Sequence, residues 1–142
     1  MKAFRAIAVV MLAALIGGCA STSATRSKSE PGTIALLNST GGKLKSVRIR
    51  EDRDGAGSVR LGEMSPVLPD FAYPFGRSSD APALPSRVRV EWVDASKRER
   101  SSVVEIDDVL KQATGSPDEA LLFEIRPGGT VDARIDRVSM PR

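Results

Sequence analysis

Residues 87–94, RVRVEWVD, alternate strictly between apolar and charged: Val88, Val90 and Trp92 fall on one side, Arg89 and Glu91 on the other. Successive side chains of a β-strand point to opposite faces, so this stretch has one apolar face and one solvated face. The same period recurs in 45–51 (KSVRIRE), with Val47 and Ile49 inward, and in 120–126 (ALLFEIR), with Leu121, Phe123 and Ile125 inward. After the turn signal Pro127-Gly128-Gly129-Thr130, Val131, Ala133 and Ile135 continue that face on a returning strand. Residues 99–106 can return against 87–94 across 95–98. Residues 33–38 (TIALLN) form an apolar run, and Val59 and Leu61 offer a short strand after the polar turn DRDGAG at 52–57.

One-sided alternation is the mark of antiparallel sheets with one face in water. Many short strands separated by Gly, Pro, Asp and Ser predict an all-β fold. The expectation is a single antiparallel β-sandwich of about seven or eight strands, Ig-like or transthyretin-like. Only 107–113 reads as helical, with Asp107 as its cap. Trp92, on an apolar strand face, is expected in the core.

The N-terminus has a different character. Lys2 and Arg5 precede an uncharged apolar block at 6–16, followed by Gly17, Gly18 and Cys19. This is the layout of an export signal. The block is about half the ~20 residues of a spanning helix, so removal is expected rather than retention as an anchor. Cys19 is the only cysteine in 142 residues. Ile16-Gly17-Gly18-Cys19 resembles the lipobox of bacterial lipoproteins. The resemblance implies cleavage before Cys19, a diacylglycerol on its thiol and an acylated amino group. Stable anchoring takes two such signals, each buried CH2 contributing about 0.8 kcal/mol. The alternative is an ordinary secretory signal with an incidental thiol, but a lone free thiol in an oxidising compartment is a liability. Ala20 stands where retained lipoproteins carry Asp, which by the same resemblance implies the outer membrane, facing the periplasm.

The expected organisation is therefore a signal peptide at 1–18, a lipidated cysteine and flexible tether at 19–32, and one domain at 33–142. Residues 20–32 are small and polar with nothing to bury. Net charge is +3, from 21 Lys and Arg against 18 Asp and Glu. Loss of Lys2 and Arg5 with the signal leaves 19 against 18, so a nucleic-acid partner, which needs a concentrated basic surface, is not expected.

With no histidine and no cysteine besides Cys19, Ser-His-Asp and Cys-His catalysis and His/Cys zinc sites are excluded. No Gly-rich phosphate loop follows a strand. No cofactor, no metal and no small-molecule substrate are expected. Glu51, Asp52 and Asp54 surround a glycine turn but lack the spacing of a calcium loop. Residues 66–85, PVLPDFAYPFGRSSDAPALP, are the least ordinary stretch, rich in proline and carrying Phe71, Tyr73 and Phe75 at alternate positions. Three readings stand: an edge strand with Pro74 in the ladder and the rings on the core, a connection packed over the end of the domain, or a stiff loop presenting the aromatics to a protein partner.

Leu84-Pro85, the strand Val88 to Trp92 and the turn Pro127 to Val131 resemble small proteobacterial lipoproteins, some encoded beside type VI secretion effectors and acting as immunity proteins. The resemblance implies a non-catalytic, protein-binding domain that occludes a partner's site. The alternative is a structural or accessory lipoprotein of an envelope or secretion assembly, and a further one is an enzyme or ligand carrier built on carboxylates.

Overall fold

The computed structural model describes residues 25–55 and 57–138. The expected signal segment and residues 16–19 lie outside the described residues. Among the described residues, eight strands occur in chain order: β1 (Thr33–Asn38), β2 (Ser46–Glu51), β3 (Arg60–Met64), β4 (Ala72–Gly76), β5 (Arg87–Val93), β6 (Glu99–Glu105), β7 (Glu119–Ile125) and β8 (Val131–Arg137). One short helix, α1 (Asp107–Leu110), stands between β6 and β7. The strands form two four-stranded sheets ordered β4-β1-β7-β8 and β3-β2-β5-β6. Neither sheet closes on itself, so β4, β8, β3 and β6 are edges.

The alternation of the sequence fixes which side chains meet between the sheets. Ile34, Leu36, Leu121, Phe123 and Ile125 of the first sheet share one apolar core with Val47, Ile49, Val88, Val90 and Trp92 of the second. Trp92 is buried there, as expected for its strand face. The outer face of the second sheet is charged, and Arg50 pairs with Glu91 at 2.9 Å across β2 and β5.

Four expectations need correction. First, the fold is not wholly antiparallel: β1 and β7 run parallel, Thr33 opposite Ala120 through Asn38 opposite Ile125. The reason is visible in TIALLN and EALLFEI, which are buried on both faces over most of their length. Continuous apolar runs belong to strands covered on both sides, the usual setting of parallel pairing. A second small cluster, Ala35, Ala120 and Leu122, occupies the far face of that pair. Second, Val59 does not join the short strand expected there, and β3 begins at Arg60. The Val59 N–H is taken by the Glu51 carboxylate at 3.0 Å, and the register shifts at Ile49/Arg50. Third, Asp107 is not a cap. Buried Ile106 occupies that position; its side chain has no acceptor and makes no capping bond, and its N–H donates to the Ser86 carbonyl at 2.9 Å. The helix stops at Leu110 rather than 113.

Fourth, residues 25–32 are not a free tether. Thr25 bridges Pro82, and the Arg26 N–H donates to the Ala81 carbonyl at 2.9 Å. Arg77 reaches Glu30 at 3.1 Å. Gly115 lies against this segment: it has φ +81°, and a Cβ there would sit 2.5 Å from the Lys28 carbonyl. Small polar residues lack apolar surface to bury, but here their backbone and two charged side chains supply the contacts instead.

Strand registers separate the molecule into two ends. At one end lie residues 25–32 and the connections β2–β3, β4–β5 and β6–β7. At the other lie the connections β1–β2 (39–45), β3–β4 (65–71), β5–β6 (94–98) and β7–β8 (126–130). This second, distal end is remote from the N-terminal segment.

Candidate functional site at the distal end

Asn38, the last residue of β1, organises the distal end. It is completely buried. Its side-chain amide donates to the Gly42 carbonyl at 2.8 Å and to the Val67 carbonyl at 3.2 Å. Its Oδ1 accepts from the Thr40 N–H at 3.1 Å and the Thr40 hydroxyl at 2.7 Å. Its own carbonyl accepts the Asp70 N–H at 2.8 Å. One side chain thus satisfies polar groups of two loops, as a buried polar residue must. The loops also meet directly: Leu44 and Val67 exchange both backbone bonds at 2.9 Å, and the Ser65 hydroxyl donates to the Lys45 carbonyl at 2.6 Å. Both Leu44 and Val67 are buried beneath this pairing.

The aromatic segment sits beside these loops. β4 is an edge strand antiparallel to β1, with Pro74 opposite Ala35. A proline on an edge costs no ladder bond toward the open side. The three rings do not form one exposed patch. Tyr73 and Phe75 turn inward and pack against the core, because alternate residues of a strand paired on that core share its inner face. Phe75 crosses to β3, where its ring takes the place a Cβ of Gly62 would need, 3.1 Å away. The Tyr73 hydroxyl accepts the Leu68 N–H at 3.0 Å. Phe71 precedes the strand and is 63% exposed, and Leu68 is 48% exposed. The Phe71 and Tyr73 ring centroids are 6.1 Å apart at 48°. Sequence reasoning named Phe71 but missed Leu68 and Asn38. The signal for Asn38 was a polar residue closing an apolar run just before Ser39-Thr40-Gly41.

A recess of about 340 Å³ also opens at this end, lined by Lys43, Leu44, Trp92, Asp94, Arg100 and the glycine turn at 128–129. Arg100 lies 3.6 Å from Asp94. The hairpin turn is closed by Arg126 donating to the Thr130 carbonyl at 2.8 Å. The Asp94 carboxyl is held below its usual range by backbone N–H groups of Arg98 and Ser96. A larger hollow of about 510 Å³ lies on the outer face of the second sheet, among Arg48, Glu63, Glu91 and Arg100. There the Arg50 hydrogen bond lowers the Glu91 pKa and keeps that carboxylate ionised. In both places the displaced carboxylates move downward, away from the neutral range a general acid needs.

Two of the acids around DRDGAG are engaged by arginines. Asp52 receives Arg89 at 2.7 Å and Arg87 at 3.2 Å, and Glu51 lies 3.6 Å from Arg53. Among the described residues, no group of His, Cys, Asp or Glu is arranged to hold a metal ion. Cys19 lies outside the described residues.

No family model matches the sequence, and no curated protein does. Among solved structures, the NMR structure of a protein from Eubacterium rectale aligns at 13% identity with a TM-score of 0.42, covering 76% of this chain and 88% of that one. A likeness of that size supports no argument about fold or function.

Proposed function

We propose that the protein is a bacterial lipoprotein anchored through Cys19 to the outer membrane, facing the periplasm. Its body is a non-catalytic protein-binding β-sandwich of Ig or transthyretin type. The observation that carries this reading is the sequence Ile16-Gly17-Gly18-Cys19 behind a positive and apolar leader, with Cys19 the sole thiol. Support for the binding role comes from the distal end, where two exposed apolar side chains stand on loops braced by Asn38. Immunity against a secreted effector is one form of that role: a binding protein that occludes a toxin needs no reacting groups of its own. The alternative is a structural lipoprotein of an envelope or secretion assembly.

The test is the intact mass and membrane fractionation of wild type and Cys19→Ala, expressed in a Gram-negative host. Wild type is expected to lose residues 1–18, gain acyl chains and sediment with the outer membrane, while Cys19→Ala remains uncleaved or unlipidated. A wild-type chain without lipid would make the protein a free periplasmic or secreted domain.

A further inference from the structure

The connections at the two ends of the molecule carry opposite net charge. The four distal connections hold Lys43, Lys45, Lys97, Arg98 and Arg126 against only Asp70 and Asp94, a net of +3. The segments at the opposite end, 25–32, 52–59, 77–86 and 106–118, hold five cationic residues against seven acidic ones, a net of −2. The chain as a whole alternates its charges, so this separation is created by the fold.

Exposed apolar surface follows the same polarity. Among the described residues, the large hydrophobic side chains left exposed are Leu68, Phe71 and Val103, and the first two stand on one distal loop. The antiparallel Leu44–Val67 bridge sets Lys43 opposite Leu68 and brings Lys45 beside Pro66. Lys43 therefore stands beside Leu68, with Lys45 two residues further along the same loop. The patch is held in place before any partner arrives, by Asn38 beneath both loops and by the Tyr73 hydroxyl on the Leu68 N–H. Preorganisation of this kind lowers the entropy cost of association.

We infer that the distal end, centred on Leu68 and Phe71 and rimmed by Lys43 and Lys45, is the docking surface for an acidic patch on a partner protein. This rests on the protein-binding reading above and names the surface and the partner's chemistry. Apolar anchors with a cationic rim match a partner with an apolar centre and a carboxylate rim, since interface charges are arranged in complementary sign. An anionic lipid surface is the other chemistry such a patch suggests. Protein is favoured because Phe71 leans on Tyr73 instead of projecting freely. In addition, a lipid anchor joins the chain ahead of residue 25, at the opposite end.

The experiment uses the full lipidated chain in cells, with the photo-crosslinker benzoylphenylalanine replacing either Phe71 or, at the opposite end, Asp108. Trapping of one protein from position 71 but not from 108 is expected. That protein, purified, should bind wild type with an affinity that falls as NaCl is raised from about 50 to about 300 mM. Lys43→Glu with Lys45→Glu should weaken it about tenfold with unchanged thermal unfolding. Vesicles of phosphatidylglycerol and phosphatidylethanolamine, offered to the soluble domain, should not bind. Trapping only from position 108 would leave the protein-binding reading standing and overturn this surface, as would affinity indifferent to the charge reversals. Vesicle binding without a protein adduct assigns the patch to lipid and overturns the inference. No adduct from either end would overturn both.

Discussion

The Arg77 guanidinium lies 3.1 Å from the Glu30 carboxylate, and the two side chains are only 6% and 13% exposed. Arg77 also donates to the carbonyls of Pro31 and Pro82, and the Glu30 carboxylate accepts the Leu84 N–H at 3.3 Å. One sheltered ion pair thus joins the segment that leads into β1 to the connection that leads into β5. Only residues 20–24 then separate Cys19 from the clasped segment.

Arg77→Ala should therefore release residues 25–32 as well as lower stability. Breaking one partner of a buried pair costs about 3–5 kcal/mol because the other charge is left uncompensated. Denaturant unfolding reads the loss, and hydrogen exchange at Arg26 and Glu30 reads the release. Native protection of those amides in the variant would show that the pair is not what holds the segment.

Asn38→Ala should cost about 1–3 kcal/mol, the usual consequence of leaving buried polar groups without partners. The carbonyls of Gly42 and Val67 and the N–H of Thr40 all lose their bonds to it. Chemical shifts should move in both 39–45 and 65–71, since the two loops share this residue. Changes confined to one loop would refute its bracing role.

Tyr73→Ala and Phe71→Ala should separate cleanly. Tyr73 packs on the core and holds the Leu68 N–H, so its truncation should lower the unfolding temperature. Phe71 is mostly exposed, so its truncation should change stability by no more than about 0.5 kcal/mol while weakening partner binding. Equal stability losses would mean that Phe71 is buried in solution.

Trp92→Ala should destabilise by about 3–5 kcal/mol, the range for removing a large buried aromatic. Gly129 lies close to this ring as well as to Arg100, so the loss should extend to the hairpin turn. Near-native stability would contradict the packing of β5.

Stability should fall in acid through named carboxylates. The Thr114 hydroxyl and backbone N–H hold Glu119 below its ordinary value, and Arg134 with Ser39 does the same for Glu124. A carboxyl whose folded pKa is depressed stabilises the fold above its unfolded value, about 4.3, and that contribution is lost as pH falls through the depressed value. Unfolding midpoints should be insensitive to these groups at pH 6 and decline below about pH 4. Glu119→Gln should flatten part of that decline, and an unchanged profile would remove Glu119 from the account.

The strands were legible because alternation is a property of one strand in isolation. RVRVEWVD and SVRIRE declare their inner faces wherever they are placed, and Trp92 follows from that. What lies between strands was less legible. The doubly buried runs TIALLN and EALLFEI carried the signal for a parallel pair, but partner choice depends on contacts far apart in sequence. For the candidate site, the sequence offered three rings at positions 71, 73 and 75. It could not tell that pairing of β4 with β1 would turn two of them inward against the core, nor that Leu68 would join the third. The likeness of Ile16-Gly17-Gly18-Cys19 to a lipobox is local, complete in four residues, and needs the chain alone. The separation of charge is the reverse case: 21 cationic and 18 acidic side chains look evenly mixed along the chain. Only the topology, which collects every second connection at the same end, turns that mixture into distal connections that are net basic and opposite connections that are net acidic, because a strand carries the chain across the molecule and each turn begins where the last strand stopped.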